Sequence, residues 1–214
     1  MAMGFKAASY NPRIDPTEFV ATVDNPYLPL VPGTTYKIIE KEGDETRQND
    51  IVVTHDTRTI MGVSCVVVHD TVTIGGTLAE DTYDWFAQDN HGNVWYFGED
   101  TTEYKPSGKV STEGSWEAGV KGAKPGIVMY GQPKPGEPYR QEYLHGEAED
   151  MGQVISLGQE VTVPFGHFTD CVRTKEWSLL ESGSEAKWYC KGVGVVRTES
   201  TAGEVATLQT VSKE

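Results

Sequence analysis

The sequence predicts an all-β protein, an antiparallel meander that curls into a barrel or half-barrel. Short runs rich in Val, Ile, Thr and aromatic residues alternate with Gly, Asn and Asp turn signals from Thr34 onward. A convincing segment of helical period is missing. The best one, residues 115–120, contains Gly119, and glycine weakens helices. The third observation is an internal repeat.

Four residues of the first half recur 103 positions later in the second half. The pairs are Tyr36 and Tyr139, Gly43 and Gly146, Ile51 and Val154, and Trp85 and Trp188. Cys65 and Cys171 are 106 positions apart, which fits a short insertion before Cys171 and a matching deletion after it. A repeat of this length predicts two tandem pseudo-repeats of one unit, each of which needs the other to close its core.

The repeat divides the chain into segments. Residues 1–31 form an irregular N-terminal arm, whose apolar residues 25–30 we expect to pack on the body. Residues 32–214 form a single β domain with repeat one at 32–104, a lid-like insertion at 105–134 and repeat two at 135–205. The insertion is longer than an ordinary hairpin loop, so we predict a lid that places Trp116 against the interior.

Turn residues set the expected strands in order. Repeat one has strands near 34–42, 46–56, 63–74, 79–88 and 93–100. Repeat two has strands near 138–145, 147–157, 159–163, 167–178, 185–190 and 194–200, and a last strand lies near 204–211.

Charge and cysteine content narrow the class of protein. The net charge of −14 argues against a nucleic-acid partner and is compatible with a cationic ligand. No apolar run approaches the roughly 18 residues that a transmembrane helix needs. The three cysteines leave two alternatives open, a Cys171–Cys190 bridge between neighbouring strands or three buried thiols.

Parts of the chain resemble a family of uncharacterised exported bacterial β-proteins with lipocalin-like or half-barrel folds. The segments that carry the resemblance are residues 80–85, 92–100, 161–168, 171–176 and 188–196. The resemblance covers most of residues 20–205 and implies an extracytoplasmic fold without assigned catalytic residues. We therefore expect a secreted or periplasmic protein. The sequence shows no export signal, and residues 7–12 are compatible with the start of a mature chain.

The two hairpins of repeat one suggest a row of acids. Closing the first hairpin at Gly75-Gly76 places Asp70 opposite Asp81, and closing the next with Gln88 opposite Asn93 places Asp81 opposite Asp100. Directly opposed residues share a face, so the three carboxylates would lie together inside the barrel. A one-residue slip in either hairpin would separate them.

This register defines the candidate site. Oxygen ligands favour calcium or magnesium over zinc or copper, and calcium is the expected ion. The candidate metal ligands are Asp70, Asp81, Asp100 and, in repeat two, Glu176. The candidate ligand-binding residues are the aromatic residues Tyr83, Trp85, Tyr96, Trp116 and Trp188.

Recognisable catalytic and cofactor motifs are missing from the sequence. The leading hypothesis is an extracytoplasmic binding protein that holds a small apolar or cationic ligand, or a metal ion, inside the barrel. One alternative is a carboxylate- or calcium-dependent hydrolase that uses the Asp70, Asp81 and Asp100 row. Another is a structural, envelope-associated protein.

Overall fold

A computed structural model describes residues 10–43 and 45–214, so residues 7–9 of the expected mature start at 7–12 lie outside the described residues. After a 3-10 turn at Pro16–Glu18, the described chain forms sixteen strands. They are β1 Phe19–Val20, β2 Thr34–Glu42, β3 Glu45–Ile60, β4 Val63–Ile74, β5 Thr77–Asp89, β6 Val94–Tyr104, β7 Val110–Ser111, β8 Trp116–Glu117, β9 Lys124–Met129, β10 Tyr139–Arg140, β11 Glu142–Tyr143, β12 Asp150–Val163, β13 Gly166–Ser178, β14 Glu185–Cys190, β15 Gly194–Ser200 and β16 Val205–Lys213.

Thirteen strands follow one another in a nearly closed antiparallel barrel, in the order β10-β12-β13-β14-β15-β16-β2-β3-β4-β5-β6-β9-β11. The predicted all-β fold class is confirmed. The comparison with lipocalins is not confirmed, because lipocalins have eight strands. The two-repeat division and the domain bounds stay predictions, because the two halves of any meander have the same strand order.

One seam closes the barrel, and residues 139–143 cross it. Arg140 lies opposite Met151 on β12, whereas Glu142 lies opposite Pro125 on β9. The crossing requires a residue without a side chain, because a Cβ on Gly126 would lie 2.4 Å from the backbone carbon of Gln141. The seam is therefore closed by close backbone packing. Residues 139–143, which follow the insertion, thereby become part of the barrel wall.

The insertion contributes to the wall as well. β9, which lies inside 105–134, continues the barrel beside β6, and β7 and β8 also pair with β6. Trp116 is 4% exposed and packs edge-on against Tyr96, with ring centroids 5.4 Å apart. A lid would cover the sheet, whereas this segment extends it, because residues 126–129 pair with β6 and residues 124–125 pair with β11.

The N-terminal arm closes one end of the barrel. In a meander, alternate turns lie at the same end, so the turns after β5 and β14 share an end with the arm. The Asn25 side-chain amide donates hydrogen bonds to the carbonyls of Gly92 (2.7 Å) and Tyr130 (3.1 Å). The amide of Gly192 donates to the carbonyl of Pro26 at 2.8 Å. These contacts hold the arm across the turns, as its apolar sequence predicts.

The opposite end carries the turns after β13 and β15, and we call it the mouth. Two hydrogen bonds tie these turns together. Thr201 N–H donates to the Ser184 carbonyl at 2.9 Å, and Ser184 N–H donates to the Thr201 hydroxyl at 3.1 Å. In the described residues, no helix is long and apolar enough to cross a membrane.

The cysteine alternatives are resolved by the pairing of β13 with β14. Cys171 and Cys190 form a disulfide, and Cys65 is a buried free thiol. The disulfide lies in an apolar cluster with Val196 and Leu208. It therefore links neighbouring strands within a core and closes a loop that includes the mouth turn after β13.

Candidate functional site

The predicted acid row is wrong because β-bulges shift both hairpins. The first turn is as expected, with Ile74 opposite Thr77, but a bulge on β5 at Ala79 follows. As a result, Asp70 lies opposite Thr82 instead of Asp81. In the second hairpin Gln88 pairs with Val94 rather than Asn93, and a further bulge follows. A bulge adds one unpaired residue and exchanges the faces beyond it.

The shifted register separates the expected metal ligands. Asp81 lies on the face opposite to that of Asp70, where its carboxylate contacts His69 Nε2 at 2.6 Å. Asp100 is exposed and lies opposite Tyr83. Among the described residues, no group of three or more His, Cys, Asp or Glu side chains is placed to hold a metal ion. Glu176 is inside the barrel, but with other neighbours.

The expected aromatic residues are also distributed differently. Tyr83 stacks on His69 with ring centroids 4.3 Å apart, and it is 41% exposed. Trp85 and Trp116 line a separate cavity of about 250 Å³. Trp188 lies beneath the Arg173 guanidinium, which is 5.1 Å from its ring centroid. Of the five residues, only Tyr96 lines the cavity described next.

A cavity of about 280 Å³, the inner cavity, lies inside the barrel. Residues from β5, β6 and β9 line one side of it and residues from β12 to β15 line the other, and these two groups of strands lie on either side of the seam. The lining residues are Leu28, Asp84, Phe86, Tyr96, Val128, Gln141, Glu142, Asp150, Glu176, Lys187, Tyr189 and Val195.

The inner cavity has two layers. Side chains two residues apart on a strand share a face, so Asp84 lies one step nearer the mouth than Phe86, and Lys187 one step nearer than Tyr189. Phe86 stacks on Tyr96 with ring centroids 4.9 Å apart. The lower layer, next to the arm, is aromatic and aliphatic, whereas the upper layer, next to the mouth, is acidic.

Three upper-layer carboxyls have raised pKa values. Burial raises the pKa of Asp84 to about 6, although the Tyr96 hydroxyl donates a hydrogen bond to it at 2.6 Å. Burial and the neighbouring charge of Asp150 raise the pKa of Glu142 to about 8. Burial also raises the pKa of Asp150. The charge of Lys187 acts on Asp150 and partly offsets the rise of its pKa. The causes of the raised pKa values of Asp84 and Glu142 include no cation, and a bound ligand could supply one.

The fourth carboxylate, Glu176, is fully partnered. The hydroxyls of Thr174 and Tyr189 each donate a hydrogen bond to its Oε1 at 2.8 Å. Lys187 Nζ lies 3.0 Å from its Oε2. Burial would raise the pKa of Glu176, but the ammonium and the two hydroxyls together hold it below its usual value. Glu176 is therefore a fixed anion with its own counter-ion.

A second cavity of about 360 Å³ lies at the mouth, between the turns after β13 and β15. It shares Asp150, Glu176 and Lys187 with the inner cavity. These three side chains are the boundary between the two spaces. The inner cavity thus adjoins the mouth cavity on one side, and Leu28 of the arm is part of its lining.

Sequence reasoning missed most of the upper layer. Asp84 lies three residues after the predicted Asp81 and on the other face of the strand, so allowing for a one-residue bulge would have found it. Glu142 gives no local signal, because its place depends on the seam. Asp150 and Lys187 belong to ordinary-looking strand ends, and only closure of the barrel brings them to Asp84.

Comparisons with known proteins show the fold. A structure described as a "putative exported protein with YmcC-like fold" from Bacteroides fragilis NCTC 9343 matches with a TM-score of 0.52 at 14% identity, over 87% of this chain and 99% of that chain. A "putative lipoprotein" from Parabacteroides distasonis ATCC 8503 has a TM-score of 0.41 at 13% identity, over 87% and 98%. No protein-family model and no curated protein matches the chain. The resemblance to exported β-rich proteins is confirmed at the level of fold.

Proposed function

We propose that the protein is an extracytoplasmic binding protein that holds a small organic cation in the inner cavity. The layered lining carries this proposal. An ammonium group would lie among Asp84, Glu142 and Asp150, and the apolar part of the same molecule would lie on Phe86 and Tyr96. The likeness to an exported protein of Bacteroides fragilis supports the extracytoplasmic location.

Charge favours a cation over a neutral ligand. Of the described residues that line the cavity, Lys187 is the single basic one, and it is paired with Glu176. Ionised carboxylates that are removed from water are costly unless a cation approaches them. The stacked rings add to this preference, because a desolvated cation over an aromatic face gains about 2 kcal/mol.

Size limits the ligand. A cavity of about 280 Å³ is at the lower end of the range for small-molecule sites, roughly 300–1,000 Å³. A single-ring amine such as benzylamine fits the two layers, with its ring on the lower layer and its ammonium in the upper one. The hydrolase alternative is not proposed again, because the register separates Asp81 and Asp100 from Asp70.

The test compares three ligands that are similar in shape and differ in charge. Benzylamine, benzyl alcohol and benzoate are titrated into the protein by calorimetry at pH 8, with calcium chloride as a fourth titrant. We expect benzylamine to bind at least about tenfold more tightly than the alcohol, and benzoate not to bind. Asp84→Asn should weaken benzylamine binding about tenfold, and the exposed control Asp100→Asn should leave it unchanged. Equal binding of the amine and the alcohol would contradict the proposal.

A further inference from the structure

The inner cavity lies between the arm and the mouth. The arm covers one end, with Leu28 in the lining. The mouth cavity adjoins the inner cavity and shares three lining residues with it. The separate cavity that Trp85 and Trp116 line has no lining residue in common with the inner cavity. A ligand that enters from the mouth therefore passes the shared residues.

Lys187 lies across this route and has a partner on each side. Its Nζ is 3.0 Å from Glu176 Oε2 and 3.5 Å from Glu185 Oε2. Glu176 and Glu185 lie opposite each other on β13 and β14, so they share the inner face. They differ in exposure: the Glu176 side chain is 9% exposed and the Glu185 side chain 44% exposed.

The two partners also differ in how firmly they are held. Glu176 is fixed by Thr174 and Tyr189. Glu185 lines the mouth cavity and is absent from the lining of the inner cavity. Lys187 can turn toward the mouth and keep an ion pair with Glu185. A cation that arrives at Glu176 would replace the ammonium that leaves.

We propose that Lys187 is the gate of the inner cavity and a residue that sets its selectivity: the ammonium of an entering organic cation takes the place of the Lys187 ammonium beside Glu176, where it also faces the other three carboxyls of the lining, and Lys187 turns to Glu185. The inference rests on the proposed function. A neutral or anionic molecule cannot displace Lys187, because Glu176 would then be a buried carboxylate without a counter-ion, which is costly. The same lysine therefore admits cations and holds back other molecules of the same size.

The first experiment measures binding of 4-fluorobenzylamine by fluorine NMR line shapes, which report affinity and exchange rates together. Lys187→Met removes the competing ammonium, so we expect affinity to rise at least about tenfold and association to become faster. The matched control is Lys191→Met, which removes an exposed lysine that pairs with Asp170 outside both cavities. It should behave as the wild type does.

A second variant keeps the test decisive if Lys187→Met does not fold, since that change leaves Glu176 unpaired. Glu185→Gln alters an exposed side chain and removes the outward partner of Lys187. We expect affinity to fall about three- to tenfold, because the displaced ammonium loses its ion pair. Unchanged affinity and rates in Glu185→Gln, or Lys187→Met that folds and binds no better than the wild type, would overturn the gate.

A bulky residue tests the route itself. Ala202→Trp fills part of the mouth cavity without touching the inner lining, so association and dissociation should slow together and affinity should change little. Val120→Trp places the same bulk in the separate cavity and should have no effect. Slower exchange with Val120→Trp alone would place the route elsewhere and overturn the gate. If the wild type prefers the amine but these variants leave exchange unchanged, the gate is refuted and the proposed function is not. If the wild type does not bind the amine, both the proposed function and the gate are refuted.

Discussion

Asp84→Asn is expected to stabilise the protein at alkaline pH in the absence of ligand. The pKa of Asp84 rises from 3.8 to about 6 in the folded protein. Each pKa unit corresponds to about 1.36 kcal/mol, so the ionised carboxylate lowers the free energy of unfolding by about 3 kcal/mol. The substitution keeps the acceptor for the Tyr96 hydroxyl and removes the charge.

The sign and the pH window follow from proton binding. Between pH 4 and 6 the folded protein binds a proton at Asp84 that the unfolded chain has lost, so stability falls as pH rises through this window. Above it the cost is constant. Asp84→Asn should therefore raise the free energy of unfolding by up to about 3 kcal/mol at pH 8 and by less than about 1 kcal/mol near pH 4.

Urea unfolding, followed by tryptophan fluorescence with the disulfide intact, measures this difference. Asp100→Asn is the matched control, because Asp100 is exposed on the neighbouring strand β6, and its effect should be small at both pH values. An Asp84→Asn variant that is no more stable than the wild type at pH 8, or whose effect is the same at both pH values, would refute the reasoning about the buried charge.

Three further predictions concern the same architecture. Benzylamine affinity should increase from pH 5 to 8 in calorimetric titrations, because Asp84 and Glu142 (raised pKa values of about 6 and about 8) must lose protons to pair with the ammonium. Asn25→Ala should lower stability by about 2–4 kcal/mol in urea unfolding, since it removes the hydrogen bonds that hold the arm. Cys171→Ala with Cys190→Ala should cost about 3 kcal/mol, the expectation for a loop of this length.

These three predictions have separate points of failure. Affinity that does not change with pH would show that the upper-layer carboxyls are not the ligand's partners. An Asn25→Ala variant as stable as the wild type would show that apolar contacts alone hold the arm. If the double alanine variant and the wild type unfold at the same urea concentration, the disulfide contributes nothing to stability.

The strands and the turns of this protein are readable from its sequence. The alternation of residues and the position of the glycines predicted β2 to β6 within a few residues, including the pairing of Ile74 with Thr77 at the Gly75-Gly76 turn. These features are local, because a two-residue turn fixes the first pairs of its own hairpin. The apolar arm and its packing on the body were also readable, from composition.

The set of residues that line the inner cavity depends on long-range contacts that no local sequence pattern indicates. A single extra residue at Ala79 exchanges the faces of β5 and replaces Asp81 by Asp84 in the interior, and nothing in the local sequence marks that bulge. Glu142 reaches the cavity because residues 139–143 cross the seam, and Lys187 meets Glu176 because β13 pairs with β14. The sequence by itself determined the strands, turns and acidic character. Closure of the barrel decided which acids share a cavity, because register and closure are set by side-chain packing over the whole sheet.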